Sequence, residues 1–434
     1  LNPLEAGLDL FVYIGIALMV ILFLSGAPLA IAFAFGSSII ALYSMGMSFE
    51  SLAQIFFSSI NSYPLLACPF FILAGNLILR SGGMVPLSDF IKATFGRLPG
   101  GLAVAGIIFA AFLGSISGSA AACLAIIGTV MVPVFVENGY DRPFASGLAV
   151  TSAELGLLIP PSLFFIIFGA LNRISIVDLF MGGIGMGLLT AFLMCIVAVI
   201  ICKKRNYATL SKATWKEKQL GFIKILPLIL MPVLVLGGIY GGYFSPTQAA
   251  SVACLYSLLI GLFVYRELTW GKIMEATIDT AKISSMIYFL IIGADLMGRM
   301  FAYIELPQII TQYVISLELG PLGFMMMVNF VLLVMGFFFS SLPMVIIVLP
   351  LFIPSVITLG IDPVFYGVLA VTNSLIGEIT PPMGPQLWIA APVCREKMGA
   401  IAREAWPFLG AWVAAMLIAT VFPDIIMFLV EFFR

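Results

Sequence analysis

The chain has 434 residues, 62% of them apolar and 9% charged, with a formal net charge of −1 and no histidine. Ordinary soluble domains carry about a quarter charged residues, so the composition excludes a soluble globular protein, and its balanced charge argues against a nucleic-acid partner. The missing histidine removes the usual transition-metal ligand and the commonest proton relay.

A bilayer core of about 30 Å takes roughly 20 apolar residues per helical crossing. Such stretches follow one another from Leu10 to Leu429 and predict an all-α polytopic membrane protein of about ten crossings. In chain order, residues 1–66 are read as N-terminal scaffold helices and 67–175 as one transport unit, with a hairpin at 100–136 and a broken helix at 143–171. Residues 176–285 are read as scaffold around a cytoplasmic loop at 203–224. A second transport unit spans 286–396, with a hairpin at 321–357 and a broken helix at 363–393, and 397–434 is a last scaffold helix. The cysteines at 68, 123, 195, 202, 254 and 394 have no paired spacing and are expected to be small core residues.

Basic residues in short loops mark the inner side of a membrane protein. Lys203, Lys204, Arg205, Lys212, Lys216, Lys218 and Lys224 cluster, and Arg80, Lys92, Arg97, Arg266, Lys272, Arg395, Lys397 and Arg403 sort to the same side. The opposite ends carry Glu50, Asp178, Glu305, Asp362, Asp424 and Glu431, which places both termini outside.

The chain repeats itself. Residues 148–161, LAVTSAELGLLIPP, return at 369–382 as LAVTNSLIGEITPP, an offset of 221. The same offset pairs Pro133 with Pro354, Asp141 with Asp362, Gly156 with Gly377 and Ser119 with Ser340. In each copy an apolar run is interrupted by small polar residues, at 114–119 and 336–343, and is followed by a helix broken at a glycine and a double proline. Irregular backbone at membrane depth survives only where protein or a watery cavity covers it, so the interruptions predict re-entrant hairpins. The charge pattern makes the two copies inverted. Inverted repeats with broken helices place substrate and ion sites near the midplane of secondary transporters.

Sodium, as a hard cation, needs oxygen donors. The first site is expected at Ser115, Ser117 and Ser119, facing Thr151, Ser152 and the carbonyls at Gly156; the second at Ser340 and Ser341, facing Thr372, Asn373, Gly377 and Thr380. Single residues of this kind also serve close helix packing; the pairing of the clusters is what points to ions. Charges inside crossing segments are functional candidates. Arg80 is read as snorkelling to the interface, and Asp295 and Arg299, four apart, as able to neutralise one another. Glu154 and Glu378 sit beside the breaks, where a carboxylate assists a cation or pairs with an arginine. Asn76, Glu154, Pro161, Ser162, Glu378, Pro382 and Gly384 are the substrate candidates.

The runs Pro69–Asn76, Ser117–Ala120, Ile159–Ser162 and Thr380–Gly384 resemble the large membrane subunit of tripartite ATP-independent periplasmic (TRAP) transporters. That resemblance implies a bacterial inner-membrane protein with periplasmic termini and an elevator mechanism. It also implies a small four-helix membrane subunit, a periplasmic substrate-binding protein, sodium as coupling ion with no other cofactor, and a small carboxylate or sulfonate as substrate. Many relatives carry an acid two residues before the second-repeat glycine, where this chain has Leu375; Glu154 holds the matching place in the first repeat. An intramembrane enzyme would need a metal motif or an activated nucleophile that the sequence does not offer. A single-component sodium/carboxylate symporter of the same architecture remains the alternative.

Overall fold

A computed structural model describes residues 10–95, 100–207, 214–381 and 384–433, the Ser117 side chain excepted. Pro382 therefore lies outside the described residues, as does the Ser117 hydroxyl. Among the described residues all regular elements are helical. By length and composition six helices can cross a bilayer, or eight when the bent pairs Phe49–Ile60 with Pro64–Arg80 and Arg142–Leu158 with Leu163–Asn172 each count once. Leu10–Leu24, Leu29–Tyr43, Gly101–Ile116, Pro321–Gly336, Ser341–Leu351 and Pro363–Ile379 are apolar but shorter, at 10–17 residues, which leaves fewer full-length spans than the apolar length predicts.

Hairpin 1 consists of Gly101–Ser117 and Ala120–Glu137. Gly118, at φ +59°, ends the first arm in the left-handed region that glycine adopts without strain. Ser119 then caps the second arm by accepting from the Ala122 N–H at 3.3 Å. The arms run antiparallel, with the Cys123 thiol 3.5 Å from the Ala110 carbonyl. Hairpin 2 consists of Pro321–Gly336 and Ser341–Leu351, continued by Ile353–Thr358. In both returning arms one turn widens just ahead of a proline, at Ile127–Met131 before Pro133 and at Met344–Val348 before Pro350. Proline has no N–H and its ring crowds the preceding turn, which relaxes by widening.

The broken helices follow from the same chemistry. Pro160 and Pro161 stop the first at Leu158; the second half, Leu163–Asn172, leaves at a 40° bend. The Ser162 hydroxyl donates to the Leu157 carbonyl, satisfying an acceptor the break exposes. The second broken helix runs Pro363–Ile379 and Pro385–Cys394, and the Gly384 N–H closes the break onto the Thr380 carbonyl at 3.0 Å.

Packing groups the helices differently from their order along the chain. Ile176–Lys204 and Met398–Val421 lie against the hairpins and broken helices, and Asp424–Phe433 packs on Ile176–Lys204. Leu10–Leu24, Leu29–Tyr43, Ala67–Arg80, Trp215–Tyr240, Pro246–Val264 and Trp270–Tyr303 pack mainly among themselves, and Met84–Phe95 is shared between Trp215–Tyr240 and the first arm of hairpin 1. Trp412, fully buried, ties the first set together by donating from Nε1 to the Thr151 carbonyl at 3.2 Å.

At one end of the molecule Arg205 bridges Glu404 at 2.7 Å and Asp141 at 3.5 Å, and Tyr207 donates to Asp141 at 2.5 Å. Burial, then the Asp141 bond, raise the Tyr207 hydroxyl above its ordinary pKa. Arg142 donates to the Cys394 carbonyl at 3.2 Å, so the start of one broken helix holds the C-terminus of the other. At the opposite end Asp362, Asp424 and Glu431 gather around one cavity. Arg80 is ion-paired to Asp279 at 2.5 Å, with Glu275 at 4.0 Å. Arg299 and Asp295 do pair, at 3.2 Å, with Ser59 donating to the same carboxylate.

Candidate functional site

Each hairpin meets its broken helix at a pair of glycines. A Cβ placed on Gly114 would lie 2.0 Å from the Gly156 Cα, and one on Gly377 2.6 Å from the Gly336 Cα. No side chain fits either crossing, so the backbones touch. Gly156 and Gly377 thus hold the architecture together, whatever their carbonyls bind.

Around the second crossing the polar atoms form two hydrogen-bonded groups, one on Glu378 and one on Asn329. The Ser341 N–H donates to Glu378 Oε1 at 2.9 Å, and the Ser341 hydroxyl to the Ser374 carbonyl at 2.8 Å. Gln386 donates to Glu378 Oε2 at 3.4 Å. Asn373 donates to the Asn329 carbonyl at 2.7 Å, and Asn329 in turn to Thr420 at 2.9 Å. Thr372 and Thr380 donate to the Val368 and Ile376 carbonyls one turn back, which leaves their oxygens with acceptor capacity. The Asn373 Oδ1 and Gln386 Oε1 atoms are buried with no hydrogen-bond partner among the described residues. Ser340 is half-buried at the N-cap of the returning arm.

The first crossing is built differently. Ser115 donates to the Phe112 carbonyl and Thr151 to those of Gly147 and Leu148. Ser152 is buried with no partner for its hydroxyl. Glu154 is wholly buried and its carboxylate oxygens have no hydrogen-bond partner among the described residues, so the arginine pairing open to it from the sequence is not made there. Pro161 and Ser162 are buried in the break, and Gly384 packs against the backbone of Glu378 and Thr380. Asn76 faces away, donating to Thr280 at 3.0 Å.

A chamber of 170 Å³ lies between the two helix groups. One wall is Ile72 with Ile283, Met286 and Ile287; the other is the hairpin 1 tip from Gly118 to Ala121, Leu342 on hairpin 2, and Leu157, Leu163, Glu378 and Gln386 from the breaks. Of the substrate candidates among the described residues, Glu378 alone lines it, together with Ser119 from the ion set; Glu154 does not. Gln386, Ser374, Asn329 and Thr420 escaped the sequence reading, being single polar residues inside apolar helices. The one local signal was Gln386, placed in the first turn after a break.

Over residues 16–425 the sequence matches the family described as tripartite ATP-independent periplasmic transporter, DctM component. The isethionate TRAP transporter permease protein DctMQ of Oleidesulfovibrio alaskensis is 35% identical over 428 residues, 96% of this chain and 65% of its own length. The C4-dicarboxylate TRAP transporter large permease protein DctM of Pseudomonas aeruginosa is 34% identical over 378 residues, 87% of this chain and 88% of the relative. The ectoine TRAP transporter large permease protein TeaC of Halomonas elongata is 32% identical over 417 residues, 95% and 97% of the two chains. The YdaH transporter of Alcanivorax borkumensis shares the fold, with a TM-score of 0.61 at 16% identity over 86% of this chain and 87% of that one.

Proposed function

The chain belongs to the DctM family of TRAP transporter large permeases, and from that premise we propose that it imports a small organic anion, a carboxylate or sulfonate, by sodium-coupled elevator movement. The observation that carries the reading is the chamber, which lies on the seam between two helix groups and is lined on one side by the hairpin 1 tip and by Leu342 of hairpin 2. Sliding one group along the other would carry such a chamber from one face of the membrane to the other. The hairpins, broken helices, Ile176–Lys204, Met398–Val421 and Asp424–Phe433 form the moving unit in this account; Leu10–Leu24, Leu29–Tyr43, Phe49–Ile60, Ala67–Arg80, Trp215–Tyr240, Pro246–Val264 and Trp270–Tyr303 form the scaffold, and Met84–Phe95 and Leu306–Ser316 lead from it into the hairpins. The packing favours this division over the one drawn from chain order, which counted Ile176–Lys204 and the C-terminal helices as scaffold and Ala67–Arg80 as moving.

Small organic acids are named for the relatives, among them isethionate, C4-dicarboxylates and sialic acid. The proposed partners are a small four-helix subunit against the scaffold and a periplasmic protein that delivers the substrate, in a bacterial inner membrane with both termini periplasmic. No catalytic group or cofactor has a part in the mechanism; Na⁺ supplies the drive. Two ion sites are proposed. The first takes oxygens from Ser115, Ser117, Ser119, Thr151, Ser152 and Gly156, the second from Ser340, Ser341, Thr372, Asn373, Gly377 and Thr380. The unpartnered Ser152 and Asn373 oxygens support them, because a buried acceptor without a donor is costly until a cation or donor arrives.

The test is a sodium titration of uptake by the whole complex. Ser119→Ala and Ser340→Ala should each raise the sodium concentration for half-maximal uptake several-fold, on the order of one lost ligand. Unchanged sodium dependence in both variants would refute the ion sites. Uptake by the permease with its small subunit and no periplasmic protein would favour the single-component symporter.

A further inference from the structure

We infer that the chamber selects solutes with a single anionic group and a hydrogen-bond donor or cation at the other end, and that Glu378 occupies the place a second anionic group would take; this deepens the reading of the chamber as the substrate site. Helix N-termini attract anions through their unpaired N–H groups and dipole. Two of them open on the chamber from the first repeat, at Gly118–Ala121 and at Leu163 and Phe164. The second repeat presents the corresponding ends at Leu342 and Gln386. There the chain supplies its own anion, since Glu378 Oε1 accepts the Ser341 N–H at 2.9 Å.

The repeat exposes the asymmetry. One offset of 221 before Glu378 stands Leu157, which lines the same chamber and brings no charge to the hairpin 1 tip. The first pole therefore has no carboxylate at the position that matches Glu378, and the second has one. Beside Glu378 the Gln386 Oε1 atom, on a residue only 5% exposed, has no hydrogen-bond partner among the described residues. Glu378 and Gln386 both line the chamber. No lysine or arginine is among the described residues that line it. A dianion long enough to reach both poles would bring its second charge against Glu378, whereas an ammonium or hydroxyl there offers Glu378 a donor. At 170 Å³ the space holds about six water-sized groups, enough for a short solute.

The experiment measures sodium-dependent thermal stabilisation of the purified permease with its small subunit by matched probes: β-alanine, 3-hydroxypropionate, propionate and succinate, and likewise taurine, isethionate, ethanesulfonate and ethanedisulfonate. The ammonium and hydroxyl probes should bind about tenfold more tightly than propionate or ethanesulfonate, and the dianions least of all. Glu378→Gln should erase the ammonium preference and admit the dianions. Gln386→Leu, which leaves Glu378 in place, should weaken the hydroxyl probes and keep the dianions out. Tightest binding by a dianion in the wild-type protein would overturn the inference, as would no stabilisation by any probe, or a Glu378→Gln effect confined to the sodium midpoint. Because the readout is binding, its failure is separable from failure of the transport reading, which would show as absent sodium-driven uptake with the probe preferences intact.

Discussion

Valine in place of Gly156 should leave no folded permease. The site gives a Cβ 2.0 Å to the Gly114 Cα, and the opposing atom is backbone, which cannot rotate aside. Overpacking a core by a few carbons costs about 1–3 kcal/mol where side chains can shift, and the cost rises further when two helix backbones must separate. The separation would also dislodge the Ser119 tip from the break it faces. Gly377→Ala meets its nearest backbone at 2.6 Å and should be the milder lesion, with lowered thermal stability and partial uptake. The check is monodispersity and melting temperature of the detergent-solubilised protein. Wild-type stability of Gly156→Val would mean that the first crossing is not close-packed.

Cross-linking the hairpin 2 tip to the scaffold should stop transport. Leu342 and Met286 face one chamber from opposite helix groups, so an elevator must part them in each cycle. Cysteines at both positions, joined by a short cleavable bifunctional maleimide, should bring uptake to background, and cleavage of the linker should restore it. Each single cysteine, and the wild-type chain with its half-buried Cys195 and Cys254, should keep activity after the same treatment. Full uptake in the cross-linked double variant would show that the two groups do not slide.

The fold was legible because its breaks are written in glycine and proline. The offset of 221 rests on Gly156 and Gly377 with the prolines that follow, and those residues act locally, through missing N–H groups and close approach, so their pattern survives without knowledge of the partner helix. The partner glycines show the limit. Gly114 and Gly336 are 222 apart, one residue off the repeat, and only the packed structure pairs them with Gly156 and Gly377.

The polar network was less legible for the same reason. Asn329 and Thr420 are 91 residues apart and meet only because two helices pack, and Gln386 matters through a carboxylate eight residues earlier across a break. Glu154 and Glu378 looked alike in sequence, each beside a break. The structure separates them, Glu378 on the chamber wall and Glu154 sealed away from it. A one-turn difference in position decides this, and no periodicity in an all-apolar helix reveals which face is the chamber.

The most direct measurement is uptake into proteoliposomes holding the permease with its small subunit, driven by an inward sodium gradient and supplied with the loaded periplasmic binding protein. The account predicts accumulation above the external concentration only when sodium is the gradient ion and the binding protein is present, and collapse when potassium replaces sodium. Equal accumulation in potassium would contradict sodium coupling, and accumulation without the binding protein would contradict the tripartite reading.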